Sequence, residues 1–153
     1  MTALLKSAFS ICLVFLLIVA APSFALADLG ASETIVQRQV DAYNARDLDG
    51  FLATYADDAE LFAFPATSQT KGKEEMRKLY APIFTDTSLH AAIVKRIVMG
   101  NVVIDHERVR AKLTEGPAIL EAIAIYEVSN GKIAKVTFIS GKTKPGQRAK
   151  KAK

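Results

Sequence analysis

The chain has 153 residues, with 20 Lys and Arg against 16 Asp and Glu, and a single cysteine. This length suits one domain with an ordinary hydrophobic core, and one cysteine excludes both a disulfide framework and metal sites built on thiolates. The net charge of +4 is uneven: Lys142, Lys144, Arg148, Lys150, Lys151 and Lys153 crowd into the closing KTKPGQRAKKAK, and with these and Lys6 set aside the rest is mildly acidic.

Residues 1–27 read as a secretory signal peptide. Lys6 supplies a positive start, Ser7 to Ala21 (SAFSICLVFLLIVAA) an apolar run, and Ala25-Leu26-Ala27 a small-x-small cleavage site. The run is shorter than the ~20 apolar residues that cross a bilayer, and Pro22 ends it. Cys12 lies inside the run rather than at its end, which argues against a lipoprotein anchor. The expected location is therefore the periplasm or the medium, with a domain over residues 28–141 and a basic tail over residues 142–153. A solvated, disordered end is the simpler reading of that tail. Contact with nucleic acid or anionic membrane is not expected, because no aromatic residues are interleaved with the charges.

Ser32 is placed to cap a first helix in which Ile35, Val36, Gln39, Val40 and Tyr43 recur at helical spacing. Asp47 is placed to cap a short second helix carrying Leu48, Phe51, Leu52 and Tyr55, with Asp57-Asp58 as the turn after it. Glu60 to Phe64 reads as a strand closed by Pro65, Ser68 to Gly72 as a loop, and Lys73 onward as a third helix that Pro82 should kink or end. The period then changes to two. Strands are expected at Leu89–Met99, Val102–Leu113, Ala118–Val128 and Lys132–Ser140, joined by Gly100-Asn101, Thr114 to Pro117, and Asn130-Gly131. Connections this short imply an antiparallel meander, so the fold class is α+β, with helices gathered at the front and a long sheet behind.

The stretch richest in chemistry is NVVIDHERVRAKL, Asn101 to Leu113. In a strand Val103, Asp105, Glu107 and Val109 share one face, and Ile104, His106, Arg108 and Arg110 the other. If the valine face is inside, two carboxylates enter an apolar interior, where an acid is costly unless paired, protonated or used. If the Ile104 face is inside, both acids are solvated and cross-paired on the surface. His90, Asp105 and Glu107 have no recognisable ligand spacing, so no metal is expected.

Three stretches carry a resemblance: VQRQVDAYNARDLDGFLATYADDAELFAF (Val36 to Phe64), GKEEMRKLYA (Gly72 to Ala81) and AIAIYEVSNGKIAKVTFI (Ala122 to Ile139). They resemble the nuclear transport factor 2-like superfamily, and within it the SnoaL-like and ketosteroid-isomerase-related branch. The resemblance implies a conical α+β barrel, three N-terminal helices packed in a curved antiparallel sheet around a mostly apolar pocket for a small apolar molecule. It also implies cofactor-free chemistry of the isomerase, dehydratase, cyclase or hydrolase kind, or binding alone, and a homodimer through the convex sheet face.

The isomerase's own residues fall at Gln39, at Ala63 or Phe64, and at Ala124, so its phenol donor, general base and second oxyanion donor are all missing here. Steroid isomerisation by the family mechanism is not expected. The register of the resemblance turns the valine face inward and offers Asp105 and Glu107 as catalytic acid and base, their pKa values driven apart by proximity. It offers Tyr55, Tyr80, Tyr126, Phe138 and Phe64 as substrate-binding residues. His90, opening the first long strand, reaches the pocket rim or lies on the surface, while His106, Glu121 and Glu127 face outward. Three functions follow: an acid–base enzyme, an extracytoplasmic ligand-binding module, or an interaction domain that uses the convex face and the tail.

Overall fold

The computed structural model describes residues 24–114 and 116–145, with side chains from residue 30. Residues 1–23, which hold most of the expected signal peptide, and residues 146–153 of the expected tail lie outside the described residues. The elements run α1 (Phe24–Ala45), α2 (Leu48–Ala53), β1 (Tyr55–Ala63), β2 (Thr67–Lys71), α3 (Lys73–Ile83), β3 (His90–Met99), β4 (Val102–Leu113), β5 (Gly116–Ser129) and β6 (Lys132–Pro145). The six strands form one curved, unclosed sheet in the order β2-β1-β6-β5-β4-β3. All neighbours are antiparallel except β1 and β6, which run parallel. This is the expected α+β cone, with one parallel seam and one extra strand.

Local chemistry accounts for the long meander. Asn130 and Gly131 both adopt positive φ, at 52° and 71°, the conformation a two-residue turn needs to match strand twist. At the other tight turn Asn101 seals the hairpin to β5, its Nδ2 donating to the Val128 carbonyl at 3.1 Å. On α2 the expected cap is present: the Gly50 amide donates to Asp47 Oδ1 at 2.9 Å.

Several boundaries differ from expectation. Ser32 does not cap α1 but lies within it, buried with no hydrogen-bonding partner for its Oγ. The preceding Ala- and Leu-containing segment carries the helix back to Phe24. Tyr55 opens β1 rather than closing α2, so Asp57 and Asp58 are strand residues. Ser68 to Lys71, expected as loop, belong to β2, which pairs with β1. Pro82 ends α3 one residue after itself. β6 continues past Ser140 to Pro145, so Lys142 and Lys144 of the expected tail are strand residues opposite the start of β5.

The helices fill the concave face. An aromatic cluster joins them, with Phe51 of α2 against Tyr80 of α3 at 4.6 Å between ring centroids, Tyr55 of β1 at 5.1 Å, and Tyr43 of α1 stacked edge-on to Phe84 at 5.4 Å. Such pairs add about 0.5–1.5 kcal/mol each beyond the area they bury. The convex face is also apolar along one row, where Ile97, Ile104 and Ile125 sit in register across β3, β4 and β5. Beside that row Met99 is 74% exposed.

β6 passes β5 through an irregularity between Leu120 and Ala122. There Gly141 lies so close that an added Cβ would stand 2.7 Å from the Glu121 carbonyl oxygen. Gly141→Ala should therefore force the two backbones apart and lower stability by about 1–3 kcal/mol, read as a reduced urea midpoint. An unchanged midpoint would show that the strands are not held this closely.

Candidate functional site

Alternation along β4 places Val103, Asp105 and Glu107 inside, at 0%, 0% and 7% exposure, and leaves Arg108 and Arg110 on the outer side. The valine face is thus the buried one, and the two acids do enter the interior. They meet different surroundings.

Asp105 is paired. Arg96 of β3 donates from Nε to Asp105 Oδ1 and from NH2 to Oδ2, both at 2.7 Å. The third guanidinium nitrogen donates to Gln37 Oε1 on α1 at 2.9 Å, and Glu33 approaches to 4.0 Å. The register of the Gly100-Asn101 turn sets this geometry, with Arg96 opposite Asp105. Beyond it Val94 is an extra residue, a β-bulge, after which Ile93 and Ala91 oppose Glu107 and Val109 on the same inner face. Without the bulge the parity of β3 would send Ile93 and Ala91 outward.

Glu107 makes no hydrogen bond or ion pair with the described residues. It lines a cavity of about 70 Å³ together with Tyr43, Tyr80, Tyr126 and Phe138. Gln39 and Val40 of α1, Ala91 of β3 and Val109 complete the wall. A cleft of about 650 Å³ shares Tyr43 and Val109 with this cavity and is walled mainly by Pro82, Ile83, Leu89, Leu113 and Leu120. Inner chamber and outer cleft therefore adjoin at Tyr43 and Val109.

Burial, and secondarily the negative charge of Asp105, pushes the Glu107 carboxyl up from 4.5 to about 7. It thus changes charge near neutrality, as acid–base catalysis requires of a proton carrier. The surrounding phenols move the same way. Burial raises Tyr43, Tyr80 and Tyr126, with Glu107 adding to each, so they remain protonated donors. The Tyr126 hydroxyl donates to Gln39 Oε1 at 3.4 Å, a long bond that holds the ring across the chamber.

Of the residues offered by the sequence, Glu107, Tyr80, Tyr126 and Phe138 meet at this cavity. Asp105 does not line it and is instead held by Arg96 in an ion pair. Tyr55 is packed in the core, its hydroxyl without a partner, and does not line the cavity. Phe64 is 62% exposed beyond the end of β1. His90 is exposed because Ala91 takes the inward position next to it. His106 faces outward and pairs with Glu121 at 2.8 Å.

Tyr43, Gln39 and Arg96 were not among the expected site residues. The first two share the inward stripe of α1 that the sequence marks as apolar core. Arg96 had a stronger signal: counting back from the Gly100-Asn101 turn puts it opposite Asp105 in a simple hairpin register.

Comparison with known proteins gives one family. The model of the SnoaL-like domain matches residues 36–136. No protein of curated function matches the chain. Among solved structures, an uncharacterized cystatin fold protein from Novosphingobium aromaticivorans is 27% identical with a TM-score of 0.64, over 71% of this chain and 97% of that one. An LEH-like epoxide hydrolase of M. tuberculosis aligns at TM-score 0.65 and 14% identity, over 74% of this chain and 84% of its own. An NTF2-like protein of unknown function from Cytophaga hutchinsonii aligns at TM-score 0.61 and 14% identity, over 72% and 89% respectively. At 14% identity the last two bear on the fold alone.

The unequal surroundings of the two acids have measurable consequences. Arg96→Met leaves Asp105 buried without a partner, and should cost about 3–5 kcal/mol in urea unfolding at neutral pH; a loss under 1 kcal/mol would mean that the pair is dispensable. Glu107 acts through its proton. The folded chain holds this proton up to about pH 7 while the unfolded chain releases it near 4.5, so stability falls as pH rises through that window and is level above it. Glu107→Gln should lie within about 1 kcal/mol of the parent at pH 5, where the carboxyl of the unfolded chain is already mostly ionised, and exceed it at pH 8 by up to about 3 kcal/mol. Equal stability of the two proteins at pH 8 would contradict the buried, unpaired carboxyl.

Proposed function

This chain belongs to the SnoaL-like family of the NTF2-like superfamily, and from that premise we propose that it takes a small molecule into the chamber beneath Tyr43 and performs cofactor-free proton transfer with Glu107 as the acid–base group. The observation that carries this reading is Glu107 itself: a carboxyl at a cavity wall, without a partner, titrating at about 7. Protonated phenols at Tyr43 and Tyr80 supply the donors that a developing oxyanion needs. Isomerisation, dehydration, cyclisation and ring-opening hydrolysis all draw on this set, and only one carboxyl is required to move a proton in each direction.

A second reading is that the chamber binds its ligand without turnover. It is favoured by Gln39 and Ala124, which stand where the family's isomerase carries its two oxyanion donors, and by the absence of a carboxylate at Ala63 and Phe64. Further proposals follow from sequence and surface. Residues 1–27 direct export, and two copies associate through the Ile97, Ile104 and Ile125 row of the convex face, which is apolar enough to merit a cover.

Carboxyl-carbon NMR of Glu107 against pH tests the reading. The expected midpoint lies near 7 and shifts when a turned-over or bound small molecule is added, and turnover, where present, rises with pH through the same midpoint because the ionised form is the base. A midpoint near 4.5 would place the carboxyl in water and remove the proposed proton carrier.

A further inference from the structure

Building on the reading of this chamber as a ligand pocket, we infer that it accepts an alkylated ammonium headgroup, enclosed by aromatic walls with the Glu107 carboxylate as its counter-ion. Four of the nine residues that line the chamber are aromatic, and they come from four different elements: Tyr43 of α1, Tyr80 of α3, Tyr126 of β5 and Phe138 of β6. Tyr43 and Tyr80 pack edge to face, at 83° with centroids 6.5 Å apart, so the chamber meets two rings of different orientation. Ring faces are electron-rich, and cations with alkyl substituents favour such enclosures over water.

Charge narrows the ligand class. No Lys, Arg or His lines the chamber, and the guanidinium of Arg96 behind it is already engaged by Asp105 through two nitrogens. An anionic ligand would therefore meet Glu107 with nothing to offset it. A purely apolar ligand would remove the last water from a carboxyl that has no partner. A cation resolves both problems, and alkylation leaves few N–H groups for the acceptors of the chamber, Gln39, Glu107 and the phenol oxygens, to satisfy.

Size is consistent with this class. On the scale by which a cavity of about 150 Å³ encloses benzene, a volume of about 70 Å³ encloses about three non-hydrogen atoms, so the nitrogen and its nearest substituents sit inside. The remaining substituents would lead out past Tyr43 and Val109 into the outer cleft, where Pro82, Leu89 and Leu120 suit an apolar chain and Asp86 and Lys112 also line the wall. The groups that act on Glu107 are Asp105 of its own strand, with Arg96 of β3 tied to it, and the hydroxyls of Tyr43, Tyr80 and Tyr126. None of them is a free cation. Ligand charge and Glu107 charge are thus linked: a bound cation keeps the carboxyl ionised, and affinity should rise with pH through the range in which Glu107 loses its proton.

Calorimetric titration of the full chain with choline and with dimethylbutanol, its uncharged carbon analogue of the same shape, separates charge from fit. At pH 8 choline should bind at least about tenfold more tightly than the alcohol. That preference should shrink at pH 5.5 and disappear in Glu107→Gln, which keeps the shape of the chamber. Equal or tighter binding of the alcohol at pH 8, or a choline preference that survives Glu107→Gln, would overturn the inference and leave the ligand pocket standing. Binding of neither probe would overturn it as well. In that case the Glu107 titration decides the rest: a midpoint near 7 retains the proton-transfer reading, and one near 4.5 removes both.

Discussion

A carboxylate with no exposure to solvent requires a cation, and the two-point contact between Arg96 and Asp105 meets that requirement between β4 and the edge strand β3. Other features of the concave face depend on it. The pair joins β3 to β4, and the remaining guanidinium nitrogen reaches Gln37, so the same side chain ties α1 to the sheet. Removing two charges from water is costly, and their mutual attraction compensates only when geometry is good and the remaining donors are satisfied. Both conditions hold here. The backbone's contribution is the hairpin register that sets Arg96 opposite Asp105, and the bulge at Val94 then brings Ile93 and Ala91 to the same inner face.

The same pair divides the labour between the two acids. Asp105 and Glu107 are two residues apart on one strand face, and a single guanidinium can lie against only one of them. Asp105 has it, and its charge then adds to burial in raising Glu107. One acid is held by a guanidinium, and the other is left without a partner at the cavity wall. A pair of carboxylates thus serves as one structural group and one chemical group, where the sequence alone suggests two equivalent candidates.

Much of the fold was legible because its signals are local. The Asn130-Gly131 turn, the Asp47 cap and the alternation of β4 are each decided within a few residues, and all three are present in the structure. β2 was missed because Thr67 to Lys71 is polar and almost wholly exposed, so it has no buried face to produce alternation; its strand character comes from pairing with β1. The site was legible in part. Tyr80, Tyr126, Phe138 and Glu107 were placed by the register of the resemblance and meet at the cavity, whereas Tyr55 and Phe64, placed by the same resemblance, and His90, placed by its position at the start of β3, lie elsewhere. Arg96 could have been found by counting back from the Gly100-Asn101 turn, whereas the bulge at Val94 has no mark in the sequence, because an extra residue in a strand is chosen by tertiary pairing. Tyr43 was hidden by its own helix, since an inward aromatic reads as core whether it meets a neighbour or a cavity.

At the free border of the sheet, the Asn44 side chain donates to the Ala91 carbonyl at 2.9 Å and accepts from the Ala91 amide at 2.7 Å. An amide group used in this way imitates one residue of an additional strand. It occupies the backbone groups of β3 at the point where the strand begins, and the Val94 bulge interrupts the regular spacing a few residues further on. The opposite border, β2, is only five residues long and ends in Lys71. Neither border therefore offers the long, flat row of open amides and carbonyls on which another chain's strand can be added. The fold carries its own protection against growth into fibrils, supplied at one border by a single asparagine from the helix beside it.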